Sequence, residues 1–425
     1  MHRAIEAIWR IEAAKVIAGL ARMVRDIGIA EDLAQDALVA ALEQWPREGV
    51  PPKPGAWLMT TAKHRALDWL RRNQMMDRKH EDLAYEMQLR ESSVPDIHAE
   101  DDEIDDDLLR LIFVACHPAL PEEARVALTL RLLGGLTTGE IARAYLLSEA
   151  TLAQRIVRAK RILAQRRVPF EVPTGTELKD RLSSVLGVIY LIFNEGYAAT
   201  VGDRWIRPDL CQEALRLGRI LAQLMPSESE VHALLALMEL QASRFKARVN
   251  GEGEPVLLLE QNRSHWDHLL IDRGLRGLEL VEKLGGAEGI YALQAAIAAC
   301  HARARLAEQT DWARIAELYR SLMEVAPSPV VQLNQAMALG MAEGPAAGLA
   351  IVEEIASEAS LANYHRLSSV RGDLLFRLGR FTEARAEFER AASLTQNARE
   401  RQLLLSRADS CAERGETAAG GPVVH

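Results

Sequence analysis

Aromatic residues make up only 5% of this 425-residue sequence, and runs of β-branched residues are scarce. A large sheet protein is therefore excluded, and the abundance of Ala, Leu, Arg and Glu points to an all-α chain. No apolar run reaches the ~18 residues of a membrane span, and no signal-peptide core opens the chain. Cysteine is equally sparse. Cys116, Cys211, Cys300 and Cys411 are widely separated, form no CxxC pair, and with His117 cannot complete a four-ligand zinc site. Reduced thiols and a cytoplasmic location are the expectation. The nucleophile elbow, the P-loop, HExxH and the dinucleotide fingerprint are all missing. Neither an enzyme nor a metal- or cofactor-binding protein is expected, and the length favours two or three domains.

What is present is an uneven charge. The net charge is −9, yet Lys53 to Lys79 holds seven Lys/Arg against two Asp/Glu, and His80 to Asp107 holds twelve acids against one Arg. The stretch from Thr137 to Leu163 reads as two helices around a tight turn. Thr137 with Glu140 forms a capping-box pattern, Leu146-Leu147 makes the turn, and Ser148 caps the second helix. Leu152, Ile156, Ala159 and Leu163 recur at helical spacing as a buried stripe. Thr151, Gln154, Arg155, Arg158 and Arg161 fall opposite. A helix packed on one side and cationic on the other suits a DNA major groove.

Upstream, Ala4 to Ile27 reads as a helix ended by Gly28. The next, AEDLAQDALVAALEQW, leaves Glu31, Asp32, Gln35 and Asp36 on its outer part, and a proline-rich loop follows from Pro46 to Pro54. In GAWLMTTAKHRALDWLRRNQ the side chains of Lys63, His64, Arg65, Asp68, Arg71 and Arg72 fall outside, while Trp57 and Trp69 read as core. Residues 78–107, ending in AEDDEIDDD, read as an acidic linker. The order of these motifs resembles the bacterial sigma factors of the extracytoplasmic-function group, within the sigma-70 family. The likeness runs from about Arg3 to Arg167.

That resemblance implies a region-two-like domain at 1–77 and a region-four-like helix-turn-helix domain at 108–168. It implies that Asp32, Leu33, Gln35 and Asp36 hold the β′ clamp of core RNA polymerase. Lys63, His64, Arg65, Asp68, Arg71 and Arg72 would meet the −10 element and its opened strand. Thr151, Gln154, Arg155 and Arg158 would read the −35 groove, with Lys160 and Arg161 on phosphates. The helices from Leu108 to Leu136 would sit on the β flap.

Beyond the Pro/Thr/Gly-rich stretch Pro169–Glu177, a run of helices between Leu178 and Leu394 is broken by short Gly/Pro turns. FNEGYAATVGDRW reads as a loop, and Arg248–Leu259 as a hairpin or ordered loop. Gly372, Leu375, Gly379, Phe381, Ala384, Phe388 and Ala391 follow the small/large pattern of a tetratricopeptide unit, although Gln396 stands where a proline is expected. A tetratricopeptide-like C-terminal domain at 178–410 is the reading. It resembles the fused regulatory domain of a subset of these sigma factors, and it offers a surface for a protein or peptide partner. Asn194, Glu195 and Tyr197 with Glu260 and Arg263 are candidates for a ligand pocket, against the plainer account of turn chemistry. The rival to a sigma factor is a helix-turn-helix regulator with a helical-repeat sensor, working without core polymerase.

Overall fold

The computed structural model describes residues 1–81 and 101–419. It is helical almost throughout, and the chain divides into two compact units, Met1–Leu191 and Ile192–His425. In the first unit, α1 (His2–Val24) is the hub. It packs against α2 (Ile27–Glu48), α3 (Pro54–Glu81) and α4 (Asp101–Ala115) through Ile5, Val16, Ile17 and Leu20. The break after α1 lies before Gly28. Arg25 takes a left-handed conformation (φ 54°), and the Asp26 carboxylate accepts from the Gly28 and Ile29 N–H groups to start α2. An Asp N-cap thus places Gly28 inside the next helix. Pro46 is likewise helical, in the last turn of α2, and Gly49 (φ 88°) ends the helix.

The expected linker at 78–107 is shortened at both ends. Its residues 82–100 lie outside those described, while 78–81 finish α3 and Asp101–Asp107 form the first turns of α4. Acids suit a helix N-terminus, and Leu108, Leu111 and Ile112 bury the face behind them. Asp107 is itself buried. It accepts from Arg110 Nη1 at 2.6 Å and pairs with Arg22 of α1 at 3.2 Å.

The remaining helices of this unit are α5 (Glu122–Leu132), α6 (Thr138–Ala144), α7 (Glu149–Gln165) and most of α8 (Gly175–Tyr197). The start expected for the C-terminal domain, residue 178, falls inside α8. Arg181 donates to the Phe113 carbonyl at 3.0 Å and the Ser184 hydroxyl to the Cys116 carbonyl at 2.6 Å. These bonds satisfy carbonyls at the end of α4, so α8 belongs with the first unit as far as Leu191.

The second unit continues with α9 (Pro208–Leu224), α10 (Ser229–Ala242), α11 (His268–Lys283), α12 (Ile290–Arg303), α13 (Trp312–Val325), α14 (Pro329–Ala342), α15 (Pro345–Ile355), α16 (His365–Arg377), α17 (Phe381–Leu394) and α18 (Ala398–Ala419). Successive helices pack on one another as an array of helical hairpins. The expected unit around Phe388 is present: Gly379 (φ 75°) makes the turn, and the Phe388 ring lies where a side chain at Gly372 would reach. The expected hairpin is a single antiparallel bridge, Val249 to Pro255, closed by Asn250. FNEGYAATVGDRW is only partly a loop, since α8 runs to Tyr197. Val201–Gly202 forms a strand, β1, parallel to β2 (Gln396–Asn397), with Val201 opposite Gln396. Gln396 therefore carries strand pairing where a proline was expected.

Helices α14 and α15 touch backbone to backbone. A Cβ at Gly348 would press into the Ala336 carbonyl oxygen and sit 3.0 Å from Gly340 Cα. Gly348→Ala should destabilise the second unit by about 1–3 kcal/mol through overpacking. Thermal denaturation checks this, and an unchanged midpoint would contradict the close approach.

Candidate nucleic-acid interface

The exposed face of α7 depends on how its other face is anchored. Thr137 and Glu140 form the expected capping box on α6, and Leu146 turns the chain with a positive φ of 51°. The Ser148 hydroxyl accepts from Thr151 N–H at 3.1 Å, starting α7. Leu152, Ile156, Ala159 and Leu163 are all buried, in a helix packed on α5 and α6. Gln154, Arg158 and Arg161 are exposed across the opposite face, with Arg155 half-buried beside them. Thr151 is exposed as well, its hydroxyl 2.7 Å from that of Ser148. Val157, 57% exposed among the arginines, escaped the sequence reading. An apolar residue on the outer face of a cationic helix was the available signal, because it suits a thymine methyl.

Lys160 does not belong to this face. Its ammonium pairs with Glu31 of α2, whose Oε1 also accepts from Arg131 Nε of α5 at 2.6 Å and from Gln35 at 2.7 Å. Glu31 was expected on the outside of its helix but is only 3% exposed. Burial alone would raise its pKa, yet Lys160 and Arg131 hold the carboxyl below the usual range. Arg10 of α1 pairs in the same way with Glu140 of α6. Two carboxylates thus fasten α1 and α2 to the helix-turn-helix segment. The proposed phosphate contact of Lys160 is unavailable while this cluster is formed.

On α3, His64, Asp68, Arg71 and Arg72 are exposed, and Lys63 and Arg65 are half-buried. Leu58, Ala62 and Ala66 anchor the helix, and Trp57 meets buried Trp45 edge-on at 5.3 Å. Trp69 is half-buried. Asp32 and Asp36 of α2 are exposed, and Asp36 lies 3.5 Å from Arg65. The residues expected to hold polymerase and those expected to meet the −10 element are therefore neighbours. Leu33 departs from that set. It is 8% exposed and shares the buried stripe of Ala30, Ala34, Ala37 and Ala41, so it packs inward.

The five residues expected to line a C-terminal pocket are mostly engaged in holding the fold. Glu195 pairs with Arg207 at 3.1 Å and accepts from the Thr200 hydroxyl at 2.8 Å. Asn194 is half-buried in the last turns of α8, and Glu260 is exposed. Tyr197 lies beneath the Arg248 guanidinium at 3.6 Å. Arg263 is buried and donates to the carbonyls of His301 and Ala304 at 2.7 and 2.8 Å and to Thr310 Oγ1 at 2.9 Å. Arg244 and Arg248, a pair spaced one helical turn apart in RFKAR, were not singled out in the sequence.

Among the described residues no helix is long and apolar enough to cross a membrane. Residues 10–75 match the sigma-70 region 2 family and residues 110–163 the sigma-70 region 4 family. Residues 181–282 match a family of unknown function, DUF6596. An uncharacterized protein, R00370, of Rhizobium meliloti (strain 1021) is 41% identical over 406 residues, covering 95% of each chain. Most of the basic helix α3 lies within the first match and most of α7 within the second, in the order and spacing expected of the extracytoplasmic-function group. A protein built from these two regions and a helical extension after them belongs to the sigma-70 family, as an extracytoplasmic-function-like sigma factor with a C-terminal extension.

Proposed function

We propose that this protein binds core RNA polymerase and directs it to promoters through paired −35 and −10 contacts. The observation that carries the reading is α7, buried along one side and presenting Gln154, Val157, Arg158 and Arg161 along the other. Arg suits guanine edges and Gln adenine, while phosphate contacts supply register and salt sensitivity. Arg155 and Thr151 flank that surface. On α3, Lys63, His64, Arg65, Asp68, Arg71 and Arg72 meet the −10 element. Asp32, Gln35 and Asp36 on α2 hold the β′ clamp, and α4 and α5 lie against the β flap. The protein works in the cytoplasm and makes or breaks no covalent bond. The C-terminal unit controls access to these faces, with a protein or peptide partner on its helical array.

In vitro transcription with purified core enzyme on genomic promoter fragments tests this directly. Arg158→Ala should cost about 1–3 kcal/mol of −35 discrimination, and Asp36→Ala should weaken co-elution with core. Failure of the full chain to direct core enzyme to any start site would overturn the reading. Removing the residues after Leu191 should change promoter output; equal output with and without them would remove the regulatory part alone.

A further inference from the structure

Several arginines of the second unit that are at least partly buried have a carboxylate partner. Arg207, Arg219, Arg371 and Arg407 pair with Glu195, Glu239, Glu353 and Asp373. Arg244, Arg248 and Arg263 differ from these in being withdrawn from solvent without a carboxylate: among the described residues none of the three makes an ion pair. They are gathered on aromatic faces. The Arg248 guanidinium lies 3.6 Å from the centre of the Tyr197 ring and 5.8 Å from that of Trp205. Arg244 and Arg263 share Trp266, at 5.4 and 5.0 Å.

Their hydrogen bonds are incomplete. Arg248 and Arg263 are 6% and 8% exposed, and the Nε of each is buried without an acceptor. Trp266 Nε1, in a side chain 3% exposed, is in the same position. Half-buried Arg244 uses only Nε, which donates to Gln261 Oε1 at 3.3 Å, so among the described residues its two Nη groups have no acceptor. Desolvated donors and net positive charge are each costly unless matched. What matches them is an acceptor-rich anion able to meet guanidinium edges in their own plane, since the aromatic rings occupy the faces.

We infer that Arg244, Arg248 and Arg263, framed by Tyr197 and Trp266, form a receptor for a small oxyanion, the phosphoryl or carboxylate group of a metabolite. Arg244 supplies the free fork, which matches two oxygens at once. Arg248 Nη2 is held by the Tyr197 carbonyl at 2.9 Å and both Arg263 Nη groups by His301, Ala304 and Thr310, so these two contribute charge and their remaining edges. The electrostatics agree. Burial would raise the Tyr197 pKa, but Arg244 and Arg248 bring it below its ordinary value, so the local field favours negative charge. His301 is driven down to about 3 by burial and by Arg244 and Arg263, and stays neutral beside them. The cluster lies within residues 197–301 and is independent of polymerase and DNA, so its test does not depend on the promoter reading.

Isothermal titration of the full chain with inorganic phosphate, and separately with citrate, at matched ionic strength in chloride, tests the site. Saturable one-to-one binding of either is expected, and the tighter of the two identifies the phosphoryl or the carboxylate source. Arg244→Gln should weaken that binding about tenfold or more. It removes one hydrogen bond and one contact with the Trp266 ring but also relieves the repulsion from Arg248 and Arg263, so its melting temperature should stay near that of the parent. Arg244→Lys, which keeps the charge but loses the fork, should also bind more weakly. Absence of saturable heat with both anions overturns the inference, as does parental affinity in a folded Arg244→Gln protein.

Discussion

Glu31→Ala should lower the stability of the first unit by about 3 kcal/mol, because it leaves two cations facing each other with no carboxylate between them. The estimate lies at the lower end for a buried pair. Arg131 and Lys160 keep 22% and 20% side-chain exposure, so both can recover some water. Calorimetry of the full chain provides its own reference, since the second unit contains none of the three residues. The transition of the first unit should move down and that of the second should stay. Coincident movement of both, or of neither, would contradict this account. The pH dependence has a definite sign. The Glu31 carboxyl is held below its ordinary value in the folded protein. Its contribution is therefore complete above the unfolded carboxylate pKa of about 4.3 and is lost as pH falls through the folded value. The difference between parent and variant should be full at neutral pH and vanish in acid. Freed from Glu31, Lys160 should also raise non-specific affinity for duplex DNA and steepen its salt dependence.

Asn397→Ala should be at least as damaging, at about 3–5 kcal/mol. Asn397 is fully buried, and its amide donates to the carbonyls of Ala199 and Arg204 at 2.9 and 2.8 Å. Its side-chain oxygen accepts from the Arg399 and Glu400 N–H groups, which start α18. Truncation strands two carbonyls, at about 1–3 kcal/mol each, and removes a cap worth about 1 kcal/mol, with incomplete additivity. Asn397→Asp keeps the cap but turns both donors into a negative charge among carbonyls. It should be no better than alanine. Hydrogen exchange should show the Ala199–Trp205 segment losing protection first in either variant; retained protection there would count against the assignment.

The parts of the fold that local chemistry decides were legible in the sequence. Thr137 with Glu140, Ser148, and the stripe of Leu152, Ile156, Ala159 and Leu163 all act within one or two helical turns, and all are in place. What was misread depends on distant partners. Glu31 looks like a surface acid on its own helix, because Arg131 is 100 residues away. Lys160 looks like a phosphate ligand for the same reason. Leu33 reads from its spacing as part of the apolar face of its helix, and only the family resemblance set it among the acids expected to hold polymerase. Asp101–Asp107 looked like a solvated tether because charge count outweighed the apolar face of Leu108, Leu111 and Ile112 behind it. In the second unit Arg244 and Arg248 belong to no local motif and were not singled out. Nothing short of the tertiary arrangement places them on Tyr197 and Trp266.

The pairing of β1 with β2 joins residues 195 positions apart, and it is pinned by Asn397, whose amide reaches back 198 positions to Ala199. Most repeat arrays grow from neighbour to neighbour and leave both ends open. This one cannot complete its first turn until its last helix exists. At about 5–20 residues per second, a nascent chain waits roughly 10–40 seconds between emergence of the two strands. Throughout that interval the promoter-binding half is already synthesised and can fold, while the extension is still unfastened. A truncation or stalled translation near residue 396 would therefore release the beginning of the array as well as its end.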